Sequence, residues 1–459
     1  MSKHLLITSL CYPQVAVMQG DKLCRLLSDS ECGQAGDIYL AKVVRVLPTL
    51  GVAFLDIGEQ KNVLLSLNKT TVIQGQMLIV QLTCSAHNQK GATVTTAISL
   101  SLPYVVYKPY GKGVGVSGKT SKSVATTLKQ TALDIAHELS IKGGFVVRTS
   151  AKDVDLSLLK AHMAYLSDVW RGILADKSTA KIPSRLYRTP LTLVALSDHA
   201  DLTAIHTDDG IMYDKWAGFA KRYLPQLAVF YHRPSLFDKH DVYTKLQNAL
   251  DSRVNLPLGA YLIIDECEAM TVIDVNTGTL VASSQDIVYQ ANLEAVKAIA
   301  GELMLRQIGG LVVVDLIDMK NKKQKELVYQ AFKKALADDI AKVHLSFVNE
   351  FGLIELSRER VSPSFSAMYA HHCLACHGTG KIKTLQTMRL AIIAKLTSLS
   401  ADFHTKDEIV LRISEKLHDF LVNDEHFQQV SAVLGSVFRV KIMAEYADDK
   451  YDILQNKYR

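Results

Sequence analysis

Two apolar, strand-like runs that each end in an acidic residue constrain the fold most strongly. Residues 269–276 alternate apolar and polar side chains, which places Asp274 and Asn276 on one face of a strand. Residues 311–314 form a second apolar run that follows two glycines and leads into Asp315. A short, continuous apolar run of this kind is typical of a buried strand. The pattern therefore predicts two strands that each carry polar residues to one end.

A helical pattern separates the two runs. Ser283 or Ser284 can cap it, and apolar residues from 287 to 303 recur at helical spacing. In a strand–helix–strand unit with neighbouring strands, opposed side chains lie about 5 Å apart. Asp274 and Asp315 could then share one Mg²⁺, an ion that usually takes one or two carboxylates and leaves its other positions to water and substrate phosphate. The alternative interpretation is that both acids only cap strand ends.

The composition is that of a globular protein with several domains. The chain has 459 residues, of which 48% are apolar and 21% are charged. No apolar stretch predicts a transmembrane helix, and the N-terminal MSKHLLITSLCYPQ has too short an apolar segment for a signal peptide. Seven scattered cysteines argue against a disulfide framework, so we expect a cytoplasmic protein. The net charge of +6 permits an anionic partner.

Residues 36–101 show short alternating strands separated by turn residues, a pattern typical of a small OB-fold barrel. Such barrels often bind single-stranded nucleic acid with aromatic rings that stack on bases and cations that line a groove. Phe54 is the candidate ring, and Lys42, Arg45 and Lys90 are the candidate cations. The alternative for Phe54 is a place in the barrel core, because aromatic residues are more often inside.

The segment from Gly113 to Thr120 matches the phosphate-loop pattern G-x-x-x-x-G-K-[ST]. Residues 311–315 could serve as its acidic partner strand, so a P-loop NTPase is an alternative function. Two features disfavour it. Lys108, Pro109 and Tyr110 stand where a strand should run directly into the loop, and the surrounding chain lacks a repeating strand–helix alternation.

Two pairs of polar residues are further candidates for phosphate contacts. Arg148 and Thr149 follow a strand-like run, and a guanidinium beside a hydroxyl suits a phosphate. Arg358 and Arg360 lie two positions apart, so on an extended segment they would point together, towards RNA phosphates or into structural ion pairs. A solvated strand end is the alternative for the first pair.

Cys373 and Cys376 have the C-x-x-C spacing of a zinc knuckle. One such pair supplies half of a tetrahedral zinc site. The missing ligands could be His371, His372 or His377, or the same two cysteines of a second chain. A redox dithiol would normally stand at a helix start in a thioredoxin-like unit, and the surrounding sequence does not indicate one.

Together and in this order, the motifs strongly resemble the ribonuclease E/G family of bacterial endoribonucleases over nearly the whole chain. The similar segments are GDIYLAKVVRVLPTLGVAFLDIG for the RNA-binding barrel, FVVRT for the 5′-monophosphate sensor, MTVIDVNTG and GGLVVVDLIDM for the DNase I-like catalytic strands, FGLIELSRERVSPS for the segment that follows, and HHCLACHGTG for the zinc link. The resemblance also implies that GVGVSGKT belongs to the sensor region and binds no nucleotide.

The resemblance implies an α/β multidomain architecture in which an OB-fold barrel interrupts an RNase H-like subdomain, and a DNase I-like catalytic subdomain follows. The implied boundaries are 1–35 and 184–250 for a catalytically inert RNase H-like subdomain, 36–101 for the OB-fold RNA-binding domain, 102–183 for the 5′-sensor region, 251–370 for the DNase I-like catalytic subdomain, 371–382 for the zinc link and 383–459 for a small C-terminal domain.

The implied activity is Mg²⁺-dependent endonucleolytic cleavage of single-stranded RNA in rRNA maturation and mRNA turnover, leaving 5′-phosphate and 3′-hydroxyl ends. Asp274 and Asp315 would hold the metal while Asn276 orients the scissile phosphate or a water. The resemblance further implies a preference for 5′-monophosphate RNA, and a homodimer through a shared Zn²⁺ or a tetramer of such dimers, in the compact, ribonuclease G-like form of the family. A non-catalytic RNA-binding protein is the remaining alternative.

Two positions depart from the family pattern. Leu64 stands where the barrel often has a second aromatic residue. Gly118, Lys119 and Thr120 replace the basic residues that usually follow the GVS turn. These departures concern RNA binding by the barrel and recognition of the 5′ end.

Overall fold

The computed structural model describes residues 2–9, 12–29, 33–67, 71–85, 91–117, 121–279, 285–371, 373, 375–376, 378–400, 408–434, 438–442 and 451–456. The chain divides into two compact units, Met1–Ala370 and His371–Arg459. Among the described helices, none is both long enough and apolar enough to cross a membrane.

The strands are β1 (Lys3–Thr8), β2 (Gln14–Gln19), β3 (Lys22–Ser28), β4 (Ile38–Leu47), β5 (Val52–Asp56), β6 (Val63–Ser66), β7 (Met77–Cys84), β8 (Thr93–Thr95), β9 (Leu100–Ser101), β10 (Val105–Lys108), β11 (Gly113–Val116), β12 (Gly144–Val147), β13 (Ser184–Tyr187), β14 (Leu202–Thr207), β15 (Ala228–Tyr231), β16 (Arg253–Asn255), β17 (Tyr261–Glu266), β18 (Met270–Asn276), β19 (Gly310–Asp315), β20 (Val343–Leu345), β21 (Leu353–Arg358), β22 (Glu408–Ile413), β23 (Phe438–Ile442) and β24 (Tyr451–Asn456). The helices are α1 (Lys122–Glu138), α2 (Leu156–Thr179), α3 (Leu191–Asp198), α4 (Gly210–Tyr223), α5 (Leu236–Lys239), α6 (Val242–Asn248), α7 (Gln285–Leu305), α8 (Lys322–Ala335), α9 (Phe365–Tyr369), α10 (Leu385–Ser400), α11 (Glu415–Val422) and α12 (Glu425–Leu434).

The first sheet combines two distant segments of the chain in the order β15-β14-β1-β2-β3. β1 pairs antiparallel with β2 and parallel with β14. Successive side chains of β1 enter two different cores, because neighbouring residues of a strand point to opposite faces. Leu5 packs in the core that also contains Phe145, whereas Leu6 packs with Phe237. The sheet is therefore covered on both faces.

A closed five-stranded barrel, consistent with an OB-fold, follows the first three strands. Its order is β4-β5-β6-β8-β7, and a second pairing between β4 and β7 closes it, while β13 extends it beside β4. In β5, Ala53 and Leu55 point into the barrel core and Phe54 between them points out. This alternation confirms the predicted barrel, since a period of two separates an apolar interior from a solvated exterior.

The segment that matches the phosphate-loop pattern begins as a β-strand. β11 pairs in parallel with β12, and the N–H of Ser117 donates to the carbonyl of Val147 at 2.9 Å. A phosphate loop needs its backbone N–H groups turned towards the anion, whereas this segment uses such groups in a sheet. Residues 118–120 lie outside the described residues. The pairing of residues 113–117 in a sheet therefore argues against the alternative of a P-loop NTPase.

The sheet with the two acidic strand ends has the order β16-β17-β18-β19-β21-β20. As the sequence predicted, β18, α7 and β19 form a strand–helix–strand unit with parallel strands. Helices α7 and α8 supply apolar residues to the core on one face. The opposite face carries exposed residues, among them Val272 and Leu311. We call this second surface the open face.

Arg358, expected to contact RNA or to form an ion pair, forms a buried ion pair. Its guanidinium donates to both carboxylate oxygens of Asp339, at 2.7 and 2.9 Å, and to the carbonyl of Ile308 at 2.8 Å. Only 2% of Arg358 is exposed. The expectation of an RNA phosphate contact is wrong for this residue, because β21 turns it into the core. Arg360 lies beyond the strand end and is exposed.

The second unit, described by itself, contains the sheet β23-β22-β24. Apolar residues of α10, α11 and α12 pack with Leu411 and Ile413 of β22. The C-x-x-C segment precedes α10, and its described residues, Cys373, Ala375 and Cys376, lie outside helices and strands.

We expect Arg358→Ala to lower the free energy of unfolding by about 3–5 kcal/mol, because it leaves the buried Asp339 carboxylate without its cation. Arg360→Ala is the matched control. It removes an exposed guanidinium from the same segment, so the free energy of unfolding should change by no more than ~0.5 kcal/mol. Chemical denaturation followed by circular dichroism measures both, and equal stability of the two variants would contradict the role of the ion pair.

Candidate active site

The pairing of β18 with β19 brings Asp274 and Asp315 together. The two residues are direct partners in the parallel ladder, and both side chains are exposed on the open face. Neighbouring strands are about 4.8 Å apart, so the two carboxylates flank a space of ionic dimensions. The sequence predicted this arrangement on the condition that the two strands are neighbours, and the sheet fulfils that condition.

Asn276 lies two residues beyond Asp274 on the same strand. Its side-chain amide donates a hydrogen bond from Nδ2 to Oδ2 of Asp274 at 2.8 Å. This contact uses one donor of the amide and fixes one oxygen of the carboxylate. Asn276 therefore orients Asp274 in the site and keeps its own amide oxygen beside the carboxylates.

Asp318 is a third acidic residue at this end of the sheet. Burial raises the pKa of the Asp315 carboxyl above its usual range, and the negative charges of Asp274 and then Asp318 raise it further. The convergence of like charges favours a cation, which would relieve their repulsion. The sequence analysis gave Asp318 no role, although its position three residues after Asp315 was the available signal.

The donor set fits a hard divalent cation. Carboxylate oxygens are the ligands that Mg²⁺ takes in proteins, and two of them are sufficient when water and substrate phosphate complete the shell. Within the described ranges, no group of three or more His, Cys, Asp and Glu side chains has the arrangement of a protein-only metal cage.

A cation and an aromatic ring flank the carboxylates on the β17 side. Tyr261 is the direct partner of Asn276, and the guanidinium of Arg253 lies over the Tyr261 ring at 3.9 Å. A guanidinium held in this way can attract an anionic substrate while it keeps a fixed position. The sequence analysis did not identify this pair, because only the sheet register places Tyr261 beside Asn276 and Arg253 near the Tyr261 ring.

The predicted RNA contacts of the barrel lie on its outer surface. Phe54 is half-buried and does not belong to the barrel core, so its predicted core alternative is wrong. It pairs directly with Arg45 on one side and with Leu64 on the other. Lys42 is exposed on the same strand as Arg45. Lys90 lies outside the described residues.

Arg148 and Thr149 lie at the end of β12, in a sheet other than that of the carboxylates. One nitrogen of the Arg148 guanidinium donates to the carbonyl of Ser197, and the backbone N–H donates to the carbonyl of Tyr104. Burial lowers the pKa of Arg148, and the charge of Asp198 opposes that shift. These contacts fix the direction of a partly buried cation.

Hydrogen bonds close a turn that follows Cys376 in the second unit. The carbonyl of Cys376 accepts hydrogen bonds from the N–H and the hydroxyl of Thr379, at 2.9 and 2.7 Å. Gly378 follows with φ of 91°, a conformation that favours glycine. The turn follows the second cysteine of a C-x-x-C pair, a spacing that lets two thiolates approach one zinc ion from the same side. His372 and His377 lie outside the described residues.

A barrel of the type that binds single strands, together with paired carboxylates on an open sheet face, is typical of a nuclease. A family model described as the Ribonuclease E/G family matches residues 99–361. Ribonuclease G of Escherichia coli strain K12 is 31% identical over 477 aligned residues, which cover 96% of this chain and 97% of that protein. The chain therefore belongs to the Ribonuclease E/G family.

Two relatives from Haemophilus influenzae differ in how far they match. Ribonuclease G from that organism is 31% identical, and the alignment covers 92% of each chain. Ribonuclease E is 27% identical, and the alignment covers 90% of this chain but only 47% of that protein. The similarity therefore extends along most of both chains for Ribonuclease G, and to about half the length of Ribonuclease E.

Proposed function

We propose that the protein is an endoribonuclease of RNA processing that cleaves single-stranded RNA at the open face of the β18–β19 pair. The observation that carries the proposal is the direct pairing of Asp274 with Asp315 in a member of the Ribonuclease E/G family. Cleavage that leaves 5′-phosphate and 3′-hydroxyl ends, in rRNA maturation and mRNA turnover, is the specific form of this activity that we infer.

Mg²⁺ is the cofactor that we propose for this site, with Asp274 and Asp315 as its protein ligands. When bound, the ion supplies positive charge to the phosphate and lowers the pKa of a water molecule. Asn276 holds Asp274 in position through its amide and directs its oxygen towards the reacting phosphate or a water. The negative charge of Asp318 adds to the attraction for the ion without an assigned contact to it.

Asp274→Asn and Asp315→Asn should each reduce cleavage of a short single-stranded RNA by on the order of a hundredfold or more, because metal charge stabilisation is worth several kcal/mol. Both variants should still bind RNA. They should melt no lower than the native protein, since each substitution removes repulsion between carboxylates. Asp265→Asn, an exposed carboxylate of the neighbouring strand, is the matched control and should cleave normally.

Wild-type turnover by Asp274→Asn would overturn this assignment of the active site. Absence of Mg²⁺-dependent cleavage by the native protein would favour the alternative of a non-catalytic RNA-binding protein. Chelation followed by addition of Mg²⁺ separates these two outcomes, because only the enzyme regains activity with the ion.

We further propose the following subdomain layout. The sheet built from β1–β3 with β14 and β15 supports an inert RNase H-like subdomain made of residues 1–35 and 184–250. The DNase I-like catalytic subdomain, residues 251–370, corresponds to the sheet that carries the carboxylates. We propose RNA contacts by Phe54 on the outer surface of the barrel and by Lys90, which lies outside the described residues. The exposed Arg360 is a further candidate for a phosphate contact.

Arg148 and Thr149 are proposed to bind the 5′-monophosphate of the substrate. A guanidinium oriented by the Ser197 carbonyl can direct its remaining edge to a phosphate, and a hydroxyl can add a hydrogen bond. A 5′-triphosphate would place more charge and volume in the same space. RNA with a 5′-monophosphate is therefore the preferred substrate.

The native protein should cleave 5′-monophosphate RNA faster than 5′-hydroxyl RNA of the same sequence. Arg148→Ala should narrow this difference and spare cleavage of 5′-hydroxyl RNA. Arg148→Lys is the matched variant, and it should recover only part of the preference because it keeps the charge but loses the planar fork. Initial rates on the two RNAs measure the effect, and equal rates by the native protein would exclude end sensing.

A Zn²⁺ shared between Cys373 and Cys376 of two protomers is our proposal for the dimer contact. A structural zinc takes four ligands, and one C-x-x-C turn supplies two of them from one side. A two-fold axis through the ion would bring the same two cysteines from a partner. The histidines adjoin the cysteines too closely in sequence to form a typical second pair. Two such dimers could associate into a tetramer.

Chelation or Cys373→Ser should convert the dimer to monomers, because thiolates are the ligands that hold the ion. Cys267→Ser, which removes an exposed cysteine of the first unit, is the matched control and should leave the mass unchanged. Light scattering with metal analysis tests this. One zinc per protomer, or a stable metal-free dimer, would contradict the shared site.

A further inference from the structure

The loop between β20 and β21, residues 346–352, carries an exposed aromatic ring. Phe351 is 82% exposed, the largest exposure of any large hydrophobic side chain in the described part of the chain. A benzyl side chain in this position gains nothing from the hydrophobic effect in the free protein. A single exposed apolar side chain is common, so the place of Phe351 beside the carboxylates, and not its exposure alone, makes it a candidate for ligand contact.

Hydrogen bonds within the loop fix the backbone that presents the ring. The side-chain oxygen of Asn349 accepts from the N–H of Phe351 at 2.9 Å and from the N–H of Leu353 at 3.0 Å. The N–H of Asn349 donates to the carbonyl of Leu353, and the N–H of Gly352 donates to that of Asn349. Phe351 thus projects from a closed turn.

The same turn lies beside the carboxylates. Leu353 is the direct partner of Asp315 in the antiparallel pair of β19 and β21, so the turn begins at that end of the sheet. Gly352 faces Asp318 closely, because a side-chain carbon placed there would lie 3.5 Å from its Oδ1. Phe351, one residue further along, is within about 10 Å of Asp315 by strand geometry.

A second aromatic residue of the loop packs against a neighbouring helix. Phe347 is half-exposed, and its ring meets that of Tyr329 of α8 edge to face, with centroids 5.3 Å apart. This contact anchors one end of the loop on a helix. Phe351 has no comparable ring contact among the described residues, so its faces stay available to a planar ligand.

We propose that Phe351 stacks on a base of the single-stranded RNA substrate next to the scissile phosphate. The proposal rests on the proposed function, because the carboxylates define where the phosphate lies. An exposed ring binds any base through its π-face, and the stacking of one base is worth about 1–3 kcal/mol. The ring positions the nucleotide beside the site and takes no part in proton transfer. It contacts substrate on the side opposite to the Arg253–Tyr261 pair, since β17 and β21 lie on either side of β18 and β19.

The test compares cleavage of a short 5′-phosphorylated RNA with cleavage of the same RNA carrying one abasic nucleotide, moved position by position. Phe351→Ala should lower kcat/KM on intact RNA by about tenfold to a hundredfold. For the native protein, kcat/KM should fall by the same factor when the abasic nucleotide occupies one particular position. For Phe351→Ala, the abasic nucleotide at that position should cause no further fall in kcat/KM. Phe351→Trp should restore kcat/KM, whereas Phe351→Leu should not.

Tyr12→Ala is the matched control, because Tyr12 is 69% exposed and belongs to a loop of the first sheet. It should cleave every substrate as the native protein does. A normal kcat/KM for Phe351→Ala, or an equal loss on intact and on all abasic RNAs, would overturn the proposal. A change of mass in light scattering for Phe351→Ala would also overturn it, since the ring would then serve self-association.

Failure of this inference is distinguishable from failure of the proposed function. If Asp315→Asn still cleaves RNA, the active site is elsewhere whatever Phe351 does. If Asp315→Asn is inactive, its binding of intact and abasic RNA, measured by fluorescence anisotropy, tests stacking without turnover. In that background Phe351→Ala should weaken binding of intact RNA by about tenfold and leave binding of the critical abasic RNA unchanged.

Discussion

The parallel ladder between β18 and β19 aligns Asp274 with Asp315, and every other part of the site takes its position from that alignment. Side chains of a strand alternate between faces, so a shift of one residue in either strand would send one carboxylate into the core and an apolar residue to the open face. Helix α7 connects the two strands and packs under them, which fixes the register from below. Packing of apolar residues on the covered face thus determines which side chains the open face carries.

This arrangement brings several negative charges together at the ends of two inner strands of the sheet. Asp315 has Asp274 and Asp318 near it, and their repulsion opposes ionisation in the folded chain. Isolated carboxylates at a strand end would be more stable, so the cluster is a local cost that a cation offsets. The buried Arg358–Asp339 pair has the opposite character, because its charges neutralise each other and hold the end of β21. The Arg358–Asp339 ion pair stabilises the sheet, whereas the cluster of acidic residues attracts a cation to it.

Strand periodicity was sufficient to predict the barrel and the two strands that end in Asp274 and Asp315, because both depend on local alternation of apolar and polar residues. The pairing of those two strands was predicted only on the condition that they are neighbours, and the sheet fulfils that condition. Periodicity gave no correct prediction for Arg358, because a charged residue was not expected at an inward position of the strand. The ion pair with Asp339, which lies outside β21, makes that position possible. The phosphate-loop pattern misled because its glycines suit an edge strand as well as a loop. Phe351 gave no signal, since the exposure of a single aromatic residue is a tertiary property.

The topology of the first sheet has a consequence for how the chain folds. β1 pairs with β14, and the side chain of Thr203 contacts Lys3 across 200 residues of sequence. The barrel lies between them and consists of local pairings, so it can fold first as a unit. At ~5–20 residues per second, a ribosome needs roughly 10–40 s to deliver β14 after β1 has emerged. During that time the N-terminal hairpin presents an unpaired strand edge, at which another chain can pair before β14 is available.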